Sequence, residues 1–183
     1  IIAALEPTFG GINLEDIIAP ECFIVEEKLR QRMKIPVFHD DQHGTAIVAA
    51  AAIYNGLKIV EKKIEDVKLV VSGAGAASIA CVDLLVSMGL QKKNVRMIDR
   101  TGVIYAGRKE GMNPWKEGYA IETTDRSIED VIDGADLFMG LSGPGVLNGD
   151  LLKKMGKKPI ILAMSNPIPE IMPEDAIAAR PDA

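Results

Sequence analysis

Segments with helical hydrophobic periodicity alternate with short β-branched runs along the chain. The stretch ECFIVEEKLRQRM predicts a helix whose charged residues lie opposite an apolar stripe. That stripe consists of Cys22, Val25, Leu29 and Met33. Predicted strands lie in IPVF, VKLVV, NVRMID, DLFMG and KPIILAM, with helical segments between most of them. This alternation predicts an α/β fold in which helices cover a parallel sheet.

Local signals place the ends of several predicted helices. Thr45 is expected to cap the alanine-rich helix AIVAAAAIYNGLKIV, and Gly89 to end the helix after the second strand. Ser127 and Asp130 have capping-box spacing at the start of SIEDVIDGA. Trp115 lies in GRKEGMNPWKEGYA, a predicted surface excursion in which the tryptophan is expected to be a buried anchor.

Composition narrows the functional classes. The chain has 183 residues, of which 48% are hydrophobic, enough for the core of one domain or slightly more. It has 21 Lys and Arg against 26 Asp and Glu, a formal charge of -5, and no basic block. Nucleic acid and anionic membrane surfaces therefore have little electrostatic basis as partners, and small-molecule chemistry is favoured.

Cysteine usage and the chain ends bear on location and completeness. Cys22 and Cys81 form neither a CxxC pair nor a disulfide framework, which fits a reducing cytosol and predicts a cytoplasmic protein. No apolar run reaches the roughly 20 residues of a membrane helix, and no secretory signal opens the chain. The first residue is Ile and neither end has the features of a natural terminus, so we expect an internal fragment of a longer protein.

The sequence GAGAAS indicates a dinucleotide site and makes the predicted sheet Rossmann-type. It follows a β-branched strand, opens an apolar helix and matches GxGxxG at its first two glycines, with Ser78 in the third position. Gly73 permits a tight turn, and Gly75 lets main-chain amides approach a pyrophosphate at the positive end of the helix. The predicted NAD(P)-binding residues are Gly73, Ala74, Gly75, Ala76 and Ala77. A helix-packing turn without a ligand is the alternative.

Asp99 and Arg100 follow at the end of the next predicted strand. An acidic residue in this position can bind the adenosine ribose hydroxyls of NAD, whereas Arg100 could hold the 2′-phosphate of NADP. Both are candidate cofactor-binding residues, and the choice between NAD and NADP stays open. The alternative is a solvated strand end.

Two acidic pairs suggest a metal site. GINLEDI contributes Glu15 and Asp16, and VFHDDQHGTA contributes Asp40 and Asp41 between a predicted strand and a predicted helix. Mg²⁺ and Mn²⁺ prefer oxygen ligands, so Glu15, Asp16 and Asp41 would suit such an ion if the fold brings them together. Taken singly, each pair also fits a helix start or a solvated loop.

The two histidines of the chain flank the second acidic pair. His39 and His43 are four residues apart, as zinc ligands on a helix are, but Gly44 and the preceding strand argue against a continuous helix. We assign them no metal role and expect them to be hydrogen-bonded groups that support the site.

Five segments, in their order and spacing, resemble the bacterial malic enzymes, which oxidatively decarboxylate malate to pyruvate. They are PTFGGINLEDI, IPVFHDDQHGTAIV, GAGAAS, DRTGVIYAGR and SNPIPEI, and the similarity spans almost the whole chain. The LED pair and HDDQHGTA are its most specific elements. The resemblance implies a malate-oxidising enzyme that uses NAD or NADP with Mg²⁺ or Mn²⁺, and that forms a dimer or larger homo-oligomer.

The resemblance also implies roles for individual residues. The metal ligands would be Glu15, Asp16 and Asp41. Asp40 would lie beside the catalytic groups and tune their ionisation, and Asn166 of SNP would contact the substrate and the cofactor. Ser142 of GLSGPG would approach the nucleotide, although a plain strand-to-helix turn also fits there.

By the same resemblance, the chain divides at the aspartate cluster. Residues 1–38 would be the C-terminal part of a catalytic metal-binding domain, and residues 39–183 a dinucleotide-binding Rossmann-like domain truncated at its C-terminal end. The family's lysine base and tyrosine acid would lie upstream of Ile1, and a second substrate asparagine downstream of Ala183. We therefore expect the chain alone to be inactive.

Two other functions remain open at this point. A metal-free NAD(P)-dependent dehydrogenase would use only the dinucleotide fold and leave Glu15, Asp16 and Asp41 idle. A non-catalytic module would bind nucleotide for sensing or assembly. A divalent-metal requirement and the release of CO₂ separate the malic enzyme from both.

Overall fold

The computed structural model describes residues 1–183, which form seven strands, seven α-helices and four short segments of 3-10 or π helix. The strands are β1 (Ile12–Leu14), β2 (Val37–His39), β3 (Leu69–Ser72), β4 (Val95–Asp99), β5 (Gly102–Val103), β6 (Leu137–Gly140) and β7 (Ile160–Ala163). The helices are α1 (Glu21–Arg32), α2 (Thr45–Val60), α3 (Ala76–Ser87), α4 (Pro114–Glu117), α5 (Ile128–Val131), α6 (Gly149–Lys154) and α7 (Pro173–Ala179).

The main sheet has the strand order β5-β4-β3-β6-β7, and its four longer strands are parallel. Ser72 pairs with Ile98 on one side and with Gly140 on the other, so β3, β4 and β6 end at nearly the same level. Helices cover both faces of this sheet. The predicted α/β fold with a Rossmann-type parallel sheet is therefore confirmed.

The edge strand β5 differs from the predicted all-parallel arrangement. It pairs antiparallel with β4 through Ile98 with Val103 and Asp99 with Gly102. Two residues separate the strands, which is far too short for the crossover that parallel pairing needs. Gly102 has φ of +108°, and a side chain there would collide with the carbonyl of Arg126.

Successive side chains of the sheet enter two cores on opposite faces. Leu69 and Val71 of β3 pack in the core formed with α2 and α3, whereas Val70 packs with Phe138 in the core formed with α5 and α6. The strands are thus apolar on both faces, as expected of a parallel sheet between helices. On α2 the buried residues have helical spacing: Ala46, Ala49, Ala50, Ile53 and Leu57.

The first 39 residues build a smaller unit around α1. β1 and β2 form a separate parallel two-stranded sheet, and a small apolar cluster joins them to the helix. The cluster consists of Leu14, Leu29, Met33 and Val37. The predicted stripe on α1 is confirmed, with Val25 only half-buried, but it also carries the buried Glu26, which the pattern had placed among the exposed charges.

The predicted cap at Thr45 is wrong. The chain turns into π helix already at Asp40, so Thr45 continues a helical path and its side chain makes no capping hydrogen bond. The capping box of Ser127 and Asp130 is present, and Gly89 with φ of +119° follows the end of α3 as predicted.

The predicted surface excursion carries buried groups. Trp115 of α4 is half-buried and stacks on Phe23 of α1, with ring centroids 4.5 Å apart. This stack connects the N-terminal unit to the segment between β5 and α5. None of the helices has the length and apolar character needed to cross a membrane.

Replacing Phe138 by alanine should lower the free energy of unfolding by about 3–5 kcal/mol, because the ring is completely buried in β6. Phe9→Ala is the matched control: that ring is 54% exposed, and the change should stay within about 0.5 kcal/mol. Urea unfolding followed by circular dichroism measures both. Equal losses for the two variants would contradict the assigned core.

Candidate active site

A cleft of about 630 Å³ opens at the carboxyl ends of β3, β4 and β6. Its walls include residues 73–75 after β3, residues 99–101 from the last residue of β4 onward, and residues 142–144 after β6. The chain places β4 on one side of β3 and β6 on the other. The cleft therefore lies at the switch point of strand order, where open α/β sheets bind their ligands.

The two glycines of the turn after β3 are required for different reasons. Gly73 has φ of +108°, and a side chain there would collide with the main-chain carbonyl of Leu141. At Gly75 a Cβ would meet no atom within 4 Å, because the residue faces the open cleft. α3 begins at the next residue, so its free N–H groups and positive dipole end border this space. The arrangement suits a pyrophosphate.

Asp99 lies in the cleft, but its carboxylate already has strong partners. Arg108 donates to both oxygens at 2.7 and 2.8 Å, Lys116 donates at 2.7 Å, and the Thr101 N–H donates at 2.9 Å. Burial raises the pKa of Asp99, but the hydrogen bonds from Lys116 and Arg108 outweigh it and hold the pKa below the ordinary aspartate value. Arg100 beside it is exposed.

The cations around Asp99 come from the excursion between β5 and α5, which the sequence pattern assigned only to the surface. Arg108 is buried, and its other N–H groups donate to the carbonyls of Gly102, Val103 and Glu110. Lys116 also donates to the carbonyl of Gly111. These contacts fix a positively charged wall that no local motif indicates.

Ser142 forms the opposite wall. Its Oγ lies 2.7 Å from Oγ of Ser72, and its N–H donates to Oε1 of Glu170 at 2.8 Å. Glu170 is completely buried, and its Oε2 accepts from the N–H of Ser165 at 3.2 Å. No local pattern distinguishes this glutamate in the sequence, although it lies within the SNPIPEI segment.

The predicted metal ligands lie just after the two parallel strands of the small sheet, at the same edge. Parallel pairing sets Leu14 opposite His39, so the residues after β1 and those after β2 emerge side by side. The Asp16 N–H donates to Oδ2 of Asp41 at 2.8 Å. Asp16 has φ of +57°, a left-handed conformation that aspartate tolerates better than most residues.

The fit of this edge to a hard cation is partial. Carboxylate oxygens are the donors that Mg²⁺ and Mn²⁺ prefer, and the Asp16–Asp41 contact joins the two acidic pairs. However, no three His, Cys, Asp or Glu side chains are grouped closely enough to hold a metal ion. Glu15 and Asp16 are exposed and can change rotamer readily. The ligand set of Glu15, Asp16 and Asp41 remains a prediction.

The segment Asp40–Gly44, here called the aspartate turn, is anchored from behind by Glu26. The buried carboxylate of Glu26 lies 2.6 Å from Nε2 of His43 and accepts from Nε2 of Gln42 at 3.2 Å. In front, the Asp40 carboxylate folds over Gly44, where any side chain would collide with it. The spacing of Glu26 from Cys22 and Leu29 on the apolar stripe was the signal that could have revealed its burial.

The prediction that both histidines are hydrogen-bonded holds for one of them. His43 bonds to Glu26, whereas the imidazole of His39 is completely buried and neither ring nitrogen has a hydrogen-bond partner. His39 ends β2 and faces away from the exposed acidic edge. The prediction for His39 is therefore wrong: its place at the end of β2 buries the ring where no polar group lies within hydrogen-bond distance.

The structure brings most, but not all, of the predicted cofactor residues to the cleft. Gly73, Ala74, Gly75, Asp99, Arg100 and Ser142 line it. Ala76 and Ala77 form the first turn of α3 behind it. Asn166 is exposed in the segment after β7 and is not part of the cleft wall. Its predicted substrate and cofactor contacts are not tested by these positions.

The arrangement combines an anion-binding helix start with a nearby oxygen-rich edge. Ala19, three residues after Asp16, lines the cleft, and the aspartate turn packs against α3. A phosphate-bearing ligand at Gly75 would thus lie on the same side of the molecule as Asp41. The cleft has room for part of a dinucleotide, and the segment that carries Asp16 also contributes Ala19 to its wall.

Comparison with protein families supports the dinucleotide assignment. The family described as malic enzyme, NAD binding domain, matches residues 42–181. The NADP-dependent malic enzyme of Escherichia coli is 61% identical over 184 residues, which cover 100% of this chain and 24% of that protein. The NAD-dependent malic enzyme of Rhizobium meliloti is 58% identical over 183 residues, again 100% of this chain and 24% of that protein. The chain thus spans about a quarter of the length of these relatives.

A solved structure gives the same result for the fold. The NAD-dependent malic enzyme of Thermotoga maritima superposes with a TM-score of 0.92 at 46% identity, covering 98% of this chain and 48% of that one. The similarity includes both the small N-terminal unit and the main sheet.

Gly75→Ala and Gly73→Ala should separate ligand binding from folding. An added methyl at Gly75 enters only the open cleft, so NAD(P) binding should weaken by about 1–3 kcal/mol with little change in unfolding free energy. At Gly73 the strained φ and the Leu141 carbonyl should lower the unfolding free energy by at least about 1–3 kcal/mol. Cofactor titration by fluorescence and urea unfolding test this. Normal NAD(P) affinity in Gly75→Ala would contradict the site.

Asp99→Asn should destabilise the fold by about 2–3 kcal/mol, since it leaves the buried Arg108 without a full countercharge while Asp99 keeps some solvent contact. Because the folded pKa lies below the unfolded one, this stabilisation is present above the ordinary aspartate pKa and is lost as pH falls through the lowered value. Asp66→Asn, at an exposed aspartate without an ion pair, is the control and should stay within about 0.5 kcal/mol of wild type. Urea unfolding across acidic pH measures both, and parallel profiles for wild type and Asp99→Asn would refute the coupling.

Proposed function

The chain belongs to the malic enzyme family, and from this membership we propose that the complete protein oxidatively decarboxylates malate to pyruvate and CO₂ while reducing NAD or NADP. The observation that carries the proposal is the presence of two features in one chain: the glycine turn with its open cleft, and the hydrogen bond from the Asp16 N–H to the Asp41 carboxylate. A nucleotide-binding sheet alone would have no need of the second.

On the cofactor side, the chain's own groups bind and orient. The N–H groups at the start of α3 would hold the pyrophosphate, and the Gly75 position leaves room for it. Asp99, neutralised by Arg108 and Lys116, and the exposed Arg100 give the adenosine end of the cleft a positive balance. This wall can accept a 2′-phosphate or ribose hydroxyls, and relatives named for NAD and for NADP are both close in sequence.

On the acidic side, we infer that Glu15, Asp16 and Asp41 hold Mg²⁺ or Mn²⁺. When bound, the cation would polarise the C2 oxygen of malate and the nicotinamide would accept hydride. Asp40, exposed at the start of the aspartate turn, would tune the ionisation of neighbouring groups. Glu26 would keep the turn against α1 through Gln42 and His43. Asn166 would contact malate or the cofactor from the segment after β7.

The wider setting follows from the same assignment. We propose a cytoplasmic homo-oligomer with malate as its small-molecule substrate. Support for a reducing compartment comes from Cys22 and Cys81, which are both free and buried. Burial raises the pKa of Cys81 to about 12, so this thiol is unreactive. The proposed division between residues 38 and 39 falls within β2, one residue before that strand ends and two before the aspartate turn begins.

One observation favours a second candidate, a metal-free NAD(P)-dependent dehydrogenase. The three predicted ligands are not grouped in the structure. Such an enzyme would turn over without a divalent ion and would release no CO₂ from a hydroxy acid.

In the complete protein, malate turnover should require Mn²⁺ or Mg²⁺ and should release CO₂ together with reduced nucleotide. Asp41→Asn should weaken the apparent Mn²⁺ affinity by at least about tenfold, because one anionic ligand oxygen is lost. Asp66→Asn, at an exposed turn far from the acidic edge, should match wild type. Coupled measurement of nucleotide reduction and CO₂ over a metal titration tests this. Full turnover in a chelator would refute the metal-dependent proposal.

A further inference from the structure

We propose that Glu170 is a positioning residue: it fixes the loops after β6 and β7 relative to the glycine turn of the cleft. The proposal rests on the dinucleotide site described above. Glu170 accepts five hydrogen bonds in all. Its carboxylate accepts from the N–H and Oγ of Ser142 and from the N–H of Ser165, and its main-chain carbonyl accepts from the N–H groups of Gly145 and Leu147.

The Glu170 carboxylate acts as a hydrogen-bond acceptor through both of its oxygens. Each oxygen accepts from a main-chain N–H, at 2.8 Å from Ser142 and 3.2 Å from Ser165. The side chain is completely buried, and all its partners are uncharged groups. A buried polar group contributes little net stability, because its desolvation offsets the gain from its hydrogen bonds. What it does supply is a fixed geometry for the groups that it binds.

The position of Glu170 links the cleft to the neighbouring loop. Ser142 follows β6 and lines the cleft, whereas Ser165 follows β7 and precedes Asn166. From Ser142 the contacts continue to Oγ of Ser72, the last residue before the glycine turn. Glu170 therefore fixes the position of the β6 loop (residues 141–147) relative to the glycine turn, which would face the pyrophosphate.

Gly140 supplies an independent observation. It ends β6 in extended conformation, where any residue would fit the main chain, yet a Cβ there would collide with the Glu170 carboxylate. The glycine leaves the space that the carboxylate occupies. The buried position of the Glu170 carboxylate therefore depends on the absence of a side chain at residue 140.

Glu170→Gln tests the proposal with almost no change in volume. One oxygen becomes an NH₂ group that must face a main-chain N–H, so either Ser142 or Ser165 loses its acceptor. We expect the dissociation constant and the KM for NAD(P) to rise about tenfold. The apparent Mn²⁺ affinity should stay at the wild-type value, because the aspartate turn lies on other elements. Isothermal titration of the complete protein with NAD(P), without malate, gives the dissociation constant independently of turnover.

Two further variants make the test specific. Gly140→Ala displaces the carboxylate without removing it, and it should weaken NAD(P) binding in the same way. Should Glu170→Gln fail to fold, this variant carries the test. Glu174→Gln changes an exposed carboxylate four residues later, in α7, and should match wild type.

The outcomes separate this proposal from the proposed function. Lower thermal stability with unchanged NAD(P) affinity in Glu170→Gln and Gly140→Ala would show a merely structural role and overturn the inference alone. Equal losses of NAD(P) and Mn²⁺ affinity would overturn it as well, since positioning of the cofactor loops predicts a split. A wild-type protein that binds no NAD(P) would overturn the proposed function, and this inference with it.

Discussion

The parallel register of β3 with β4 and β6 is the constraint on which the rest of the structure depends. Because Ser72 pairs with both Ile98 and Gly140, three strands stop at one level and their following loops converge. The cleft exists because of this convergence, and so does the space for Glu170 below it. A slip of one residue would reverse which side chains of β3 enter each core, so the two apolar faces enforce the register.

Three carboxylates, two buried and one half-buried, position the loops around the cleft, and each does so through a different set of partners. Asp99 uses two cations, Glu170 uses main-chain N–H groups, and Glu26 uses two polar side chains of the aspartate turn. Each carboxylate belongs to one segment and fixes another that is distant in sequence. The apolar cores determine where the strands lie, and these polar contacts determine where the loops lie.

The sequence was sufficient for features that rest on local periodicity or on a short motif. The α1 stripe, the capping box at Ser127 and the glycine turn at Gly73 are of this kind. Groups whose role depends on distant contacts could not be found: Arg108, Lys116 and Glu170 meet their partners only after the strands are paired. The cap predicted at Thr45 is wrong because a turn of π helix, which no local sequence pattern indicates, begins the helical path at Asp40.

The stack of Trp115 on Phe23 has a spectroscopic consequence. Trp115 is the only tryptophan of the chain, and its neighbour Lys116 holds Asp99 on the cofactor side while Phe23 belongs to the helix behind the aspartate turn. Its indole emission therefore originates at the seam between the two units. Because the ring packs against Phe23, a change at this contact alters the polarity around the indole, so Trp115 emission reports on the contact between α1 and α4.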